Sequence, residues 1–344
     1  MIGIKIGIDF GSYSLKIYVE GKGIVVDESS IVAIDNQTGN PIAFGKAADN
    51  VYGRNGEDIT ISKVIQNGVI SDFVMAERML RYYIQRVCGN RIYKPNIILS
   101  LPSNVSSLER KTFLDVVTLA GAGRVCMIEG VLASAFGCDS DSEESVCRTV
   151  IDIGHQVTEY AILSEGIIEA KGTIKHGSYD IDKAIINHLR RDRDILIGPH
   201  TAREIKNKIT SAEKRDCESA LFVAGKSALD NLPISFEITS TEVYPYVDEQ
   251  IDMIIKEIYQ DILKNSPELL SDVTDNGIMV CGGGSLIFDI AERLSNQLGI
   301  KCDIVDEPRL AKIKGLGHFV TNEKWLIENG YRFIFRDEIK DKIN

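Results

Sequence analysis

"RTVIDIGHQVTEYAIL", residues 148–163, decides the fold. An apolar run reads as a strand that ends at Asp152. The chain then turns through Gly154, and a second strand-prone run leads back. "IKIGIDFGSYSLKIYV", residues 4–19, has the same order, with Asp9 and Gly11 in the matching places. Two strand–Asp–x–Gly–strand units about 140 positions apart indicate an internal duplication. The second copy carries His155 and Gln156 where a tight turn would favour glycine.

An aspartate at a strand end, in the mouth of a tight turn, can hold Mg2+ through the ion's water shell. The N–H groups of the turn can meanwhile converge on phosphate oxygens. Gly11 suits close approach because it has no Cβ. Ser12 and Ser14 add hydroxyl donors, and Lys16 can reach a β- or γ-phosphate as a point charge. Two such turns facing each other would grip the phosphates of one nucleotide, with Asp9 and Asp152 as the metal-side carboxylates. A third turn, "CGGGSL" at 281–286, stands between an apolar strand and a helix. There Gly282, Gly283 and Gly284 could let a base or ribose lie against the backbone. Plainer readings stand beside these: two ordinary hairpins with a structural aspartate, and a tight strand-to-helix turn.

Outward from these turns, strand and helix signals alternate along the chain, which indicates an α/β architecture. "NIILSLPSN" (96–104) reads as a strand, "SSLERKTFLDVVTLAGA" (106–122) as a helix with a glycine stop, and "RVCMIEG" as a strand before another helix. The acidic, serine-rich run "DSDSEES" (139–145) reads as an exposed hinge between two halves. Strands over 148–174, a helix pair over 180–213, a strand-prone stretch over 220–239 and a long helix from about 241 to 264 complete the second half. The 344 residues are long enough for two domains. A formal net charge of −11 argues against nucleic acid as a partner. Asp9 interrupts the first apolar run, unlike a secretory signal, and no run approaches the length of a membrane span. Seven scattered cysteines without a C-x-x-C pair suggest reduced thiols in a cytoplasm. Arg190, Arg191 and Arg193, interleaved with Asp192 and Asp194, read as a solvated helix end. His176, His188, His200 and His318 show no ligand spacing and read as structural.

At these residues the chain resembles the MreB family of bacterial actin-like proteins. The likeness runs through "KIGIDFGSYSLKIYVEGKGIVVDESSIVAID", "NGVISDFVMAERMLRYYIQRV", "IEGVLASAFG", "IDKAIINHL", "IGPHTAREIKNKITSAE" and "GIMVCGGGSLI", in the family's order and spacing. The resemblance implies the actin-like ATPase fold: two RNase H-like domains around a nucleotide cleft, each with a smaller insertion. The expected first domain takes 1–145 plus about 316–344, with its insertion over about 33–66. The second takes 146–315, with its insertion over about 180–245. ATP with Mg2+ is the implied ligand, bound by Asp9, Gly11, Ser12, Ser14, Lys16, Asp152, Gly154, His155, Gln156, Thr158, Gly282–Gly284 and Ser285. Glu204 and Lys206 would contact base or ribose. The resemblance further implies self-assembly into protofilaments at the inner face of the cell membrane, with cell-wall synthesis proteins as further partners.

The departures from the family pattern are specific. Its second loop, Asp-x-Gly-Gly-Gly-Thr-Thr-Glu, reads here Asp152-Ile153-Gly154-His155-Gln156-Val157-Thr158-Glu159. His155 and Gln156 could supply hydrogen bonds of their own. The family's Gly-Gly-Asp is Gly177-Ser178-Tyr179. Its Glu-Glu-Pro is Glu129-Gly130-Val131, which leaves Glu129 as the only nearby catalytic candidate for positioning water. Its usual Glu after Thr-Ala is Arg203. Lys16 stands where the family usually has an apolar residue. The expected activity is therefore at most a slow ATPase coupled to polymerisation. The alternative is a pseudo-ATPase scaffold that assembles or binds partners without using nucleotide; a sugar or acetate kinase would rest on fold analogy alone. For membrane contact, "MIGIK" is too short for an amphipathic helix; the loop "CGNRIYKP" (88–95) offers Ile92 and Tyr93 as a candidate insertion tip, while a solvent-exposed loop with two half-buried side chains is the favoured reading of the same residues. The alternating Tyr331, Phe333 and Phe335 are expected to pack as a strand against the first domain.

Overall fold

The computed structural model describes residues 3–53, 56–89, 94–138 and 149–335. The acidic run 139–145 and the candidate membrane residues Ile92 and Tyr93 lie outside these described residues. The chain divides into two units: Met1–Cys147, Leu163–Thr173 and Arg309–Asn344 form one, Arg148–Ile162 and Ile174–Pro308 the other.

In the first unit, Lys5–Phe10 runs parallel to Asn96–Leu101, which runs parallel to Arg124–Glu129. Ile6, Ile8, Ile97, Leu99, Val125 and Ile128 are buried, the apolar content expected where helices cover a parallel sheet. Ser14–Val19 and Gly23–Ser29 extend the sheet antiparallel on one side. On the other, Phe333–Phe335 pairs antiparallel with Arg124–Cys126, so the C-terminal aromatics form an edge strand of this unit, as their alternation predicts. A smaller sheet is built from Pro41–Phe44, Ile31–Asp35 and Ile59–Lys63.

Helix starts follow their capping residues. Asp72 accepts a hydrogen bond from the Met75 N–H at the head of Phe73–Cys88, whose buried face is Met75, Met79, Leu80, Tyr83 and Ile84. Ser106 and Glu109 form a reciprocal capping box on Ser107–Leu119. The closest helix contact in this unit joins Gly130–Cys138 to Ala311–Thr321. A Cβ on Gly137 would overlap the Ala311 carbonyl, and one on Gly315 the Ala133 carbonyl. The two backbones therefore touch through paired glycines.

The second unit repeats the scheme. Thr149–Ile153 is antiparallel to Thr158–Ser164 and parallel to Ile278–Cys281, which is parallel to Cys302–Ile304. Each unit thus places one hairpin beside two further parallel strands, the topology expected of a duplication. Ile195–Leu196, Ala220–Ser227 and Pro233–Thr239 make a separate small sheet. The helices Ser178–Asp192 and Ser240–Ile262 pack together.

The arginine-rich end of Ser178–Asp192 is not simply solvated. His188 lies between Asp192 (2.8 Å) and Glu242 (3.0 Å). The Tyr246 hydroxyl donates to Asp192 at 2.8 Å, and Arg193 donates to the Glu237 carbonyl at 2.9 Å. Only side chains from the following helix and sheet, distant in sequence, turn this end into a cross-link. Hydrogen bonds from Arg191, His188 and Tyr246 hold the Asp192 carboxyl far below the usual carboxylate range.

Candidate functional site

The first hairpin turn is closed by Gly11 N–H donating to the Ser14 carbonyl at 3.0 Å. Asp9 sits opposite Lys16 in the antiparallel register. The Lys16 ammonium lies 3.7 Å from the Asp9 carboxylate and donates to the Ser14 hydroxyl at 2.7 Å. The Ser100 hydroxyl, from the neighbouring parallel strand, donates to Asp9 at 3.2 Å. Ser12 accepts from the Gly68 N–H at 3.3 Å. The structure thus gathers Asp9, Gly11, Ser12, Ser14 and Lys16 at one strand-end turn and adds Ser100. The sequence reading missed Ser100; the available signal was its place near the end of "NIILSL", one strand over from Asp9. Its registry with Asp9 is a tertiary fact.

The second hairpin has the same closure, with Gly154 N–H donating to the Val157 carbonyl at 3.0 Å. Here Gly154 is the residue that must be glycine, because a Cβ would lie 2.5 Å from the Val157 carbonyl. His155 and Gln156 are the two central residues of the turn, and neither has a positive φ. That conformation is open to any L residue, so their side chains are accommodated without strain. Asp152 is buried and faces Glu159 across the pair, where the first hairpin has Asp9 facing Lys16. One scaffold therefore carries a cation–anion pair in one copy and two carboxylates in the other. Thr158 is buried and donates to the His176 carbonyl at 2.8 Å.

The glycine turn belongs to this second hairpin. Gly282 has φ +86°, and a Cβ there would overlap the Asp152 carboxylate; one on Gly284 would overlap the Ile153 side chain. Asp152, Gly154, Gly282 and Gly284 are therefore brought together. The turn does not run straight into a helix as the sequence suggests. Gly283–Leu286 forms a single 3-10 turn, closed by the Ser285 hydroxyl on the Gly282 carbonyl at 2.8 Å, and the helix starts at Ile290. The Asp289 carboxylate is drawn to Ser211 at 2.6 Å and to Arg215 at 3.3 Å, and makes no cap on that helix.

Lys206 is buried; its ammonium lies 2.9 Å from both Asp182 and the Ser178 carbonyl. Burial lowers its pKa, opposed by the Asp182 charge. Glu204 pairs with Lys208 at 2.7 Å on the exposed side of the same helix.

Glu129 is also committed. Its two carboxylate oxygens accept from the Lys171 ammonium and the Tyr331 hydroxyl, each at 2.7 Å. Burial pushes the Glu129 carboxyl up, but the hydrogen bonds from Lys171 and Tyr331 and the Lys171 charge prevail and hold it low. Burial and the same carboxylate push the Tyr331 phenol well above its ordinary value. A carboxylate so held is a weak base, and its strongest acceptor positions are occupied.

Known structures share this fold, and known sequences are similar to the chain. MreB 5 of Spiroplasma citri bound to AMPPNP superposes with a TM-score of 0.89 at 31% identity, over 96% of this chain and 99% of that one. Its ADP-bound form gives 0.88 at 30%, over 95% and 99%. The MamK double helical filament gives 0.79 at 17% identity over 93% of this chain and 99% of that one, a likeness of fold alone. The fold is the actin-like one. The family model described as MreB/Mbl protein matches residues 3–328, and the chain belongs to that family. It is 31% identical over 323 residues to cell shape-determining protein MreB of Escherichia coli (strain K12), covering 92% of this chain and 93% of that protein. It is 29% identical over 323 residues to cell shape-determining protein Mbl of Bacillus subtilis (strain 168), covering 94% and 97%.

Proposed function

We propose that this protein binds ATP with Mg2+ through both hairpins and assembles with copies of itself into filaments that serve cell shape at the inner face of the cell membrane, with cell-wall synthesis proteins as partners. The observation that carries the reading is the repeated turn: the same 3.0 Å closure in both hairpins, each with an aspartate at the same register position. Asp9 offers hard oxygen atoms of the kind a Mg2+ water shell accepts, steadied by Ser100, and Lys16 supplies a cation beside it. Asp152 would serve the same shell from the second hairpin. Gly282–Gly284 and Ser285 would lie under the nucleoside, and Glu204 and Lys206 would border it. Solved relatives bound to AMPPNP and ADP, and a filament of the same fold, support the reading.

Hydrolysis is slow on this reading. Gly130 has no side chain to position water, and Glu129 is held by Lys171 and Tyr331. Magnesium, when bound, would neutralise phosphate charge; the residues of this chain bind and orient. The test is sedimentation in an ultracentrifuge. With ATP and Mg2+ the protein is expected in the pellet, and substantially less of it with ADP or without nucleotide. Equal pelleting in all three conditions would replace the reading with the nucleotide-indifferent scaffold. No pellet under any condition would remove self-assembly.

A further inference from the structure

We infer that the free edge of one strand, Ile167–Ile174, is a docking site for an extended, basic peptide segment of a partner protein. The segment would pair its backbone with the strand and seat an apolar side chain against Trp325 and Tyr331. The inference goes beyond the proposed nucleotide binding and does not depend on it.

Ile167–Ile174, eight residues long, is an end strand of the five-stranded sheet that holds the second hairpin. Its outer edge pairs with no strand among the described residues. Proteins guard such an edge with proline, a bulge, a very short strand or an outward lysine. This strand has no proline, and its one lysine, Lys171, is drawn onto Glu129 at 2.7 Å. The chain enters it through a two-residue turn, Glu165 (φ +50°) and Gly166 (φ +80°), so no long loop folds over the edge. A cavity of about 290 Å3 lies against it, and residues 166–171 all line that cavity. Side chains of a strand alternate between its two faces, so a cavity over one face would be walled mainly by every second residue. Residues in unbroken succession place it beside the backbone, where unpaired N–H and C=O groups can meet a ligand. The opposite wall includes Leu132, Trp325 and Tyr331, and every wall belongs to the first unit. Trp325 is braced by Phe136 and Phe319, and Tyr331 by its hydrogen bond to Glu129 at 2.7 Å. A wall so fixed limits the ordering cost of binding. The volume lies at the low end for ligand pockets and suits a few peptide side chains better than a bulky cofactor. In an added strand, backbone pairing gives affinity and pockets for alternate side chains give selectivity. Charge selects further: Glu169 is exposed and makes no ion pair among the described residues, and the chain carries a net charge of −11. A basic side chain next to the apolar one is therefore favoured.

The experiment titrates the full chain, without nucleotide, with short acetylated and amidated peptides that alternate lysine with valine, leucine or phenylalanine. Fluorescence of Trp325, the only tryptophan, is the readout. A saturable change at one peptide per chain is expected for at least one of the set. The same peptide N-methylated at every amide should not bind, because it cannot pair as a strand. Glu169→Lys should weaken the lysine peptide about fivefold, the scale of an exposed charge pair, and should improve binding of a version with glutamate in place of lysine. Failure of every peptide to saturate would overturn the inference. Equal binding of the N-methylated peptide would show apolar adhesion alone, and unchanged affinities in Glu169→Lys would place the peptide elsewhere; either result overturns it. Peptide binding that weakens as the chain concentration is raised would give the edge to a second copy of the chain and overturn it too. None of these results bears on nucleotide binding, which the sedimentation test addresses separately.

Discussion

Gly315→Val is expected to destabilise the first unit by about 3 kcal/mol or more, at the upper end for overpacked sites. The added Cβ would meet the Ala133 carbonyl, and the reciprocal position, Gly137, meets the Ala311 carbonyl. Both obstacles are backbone, so no rotamer change relieves them. The helix Ala311–Thr321 also packs on Lys5–Phe10, where Leu316 Cβ stands 2.9 Å from the position a Cβ on Gly7 would take. Sliding the helix away would therefore open the sheet core. The readout is convenient: Trp325 is the only tryptophan in the chain, and it packs against Phe136 and Phe319 in this unit. Its fluorescence should report a much lower urea midpoint for the variant. A midpoint equal to wild type would mean that the helices do not cross as closely as described.

Asp182→Ala should cost about 3–5 kcal/mol in the second unit, the usual penalty for stranding one member of a buried ion pair. Asp182 and Lys206 are both buried, and the remaining ammonium would keep only the Ser178 carbonyl at 2.9 Å. The paired change Asp182→Leu with Lys206→Met should recover much of the loss, because no charge is then left buried. Hydrogen exchange of the amides in Ser178–Asp192 and Pro199–Ile209 is the measurement. Asp182→Ala should speed exchange there strongly, and the double variant far less. Equal exchange in all three proteins would show that the pair carries little of the stability.

Much of this architecture was legible because local chemistry and tertiary structure agree. The Ser106–Glu109 box starts a helix where the sequence places one, and the Phe333–Phe335 part of the aromatic alternation forms a strand on the first unit, as expected. The twofold hairpin was readable from Asp9-Phe10-Gly11 and Asp152-Ile153-Gly154 alone. What stayed hidden depends on contacts between residues distant in sequence. Ser100 reaches Asp9 only through parallel strand pairing. Tyr179 meets His155 only because Gly177 lets the helix start close on the turn. His155 and Gln156 stand where the sequence pattern would favour glycine, yet neither takes a positive φ, which the sequence alone does not reveal. Glu129 is visible in sequence as a lone carboxylate, but its capture by Lys171 and Tyr331 is not.

The most direct test of the central claim, that both hairpins serve one nucleotide, is titration calorimetry with ATP and Mg2+. The expected result is one ATP per chain, with Asp9→Asn and Asp152→Asn each weakening binding by about tenfold or more. Wild-type affinity in Asp152→Asn, or two independent sites per chain, would contradict it.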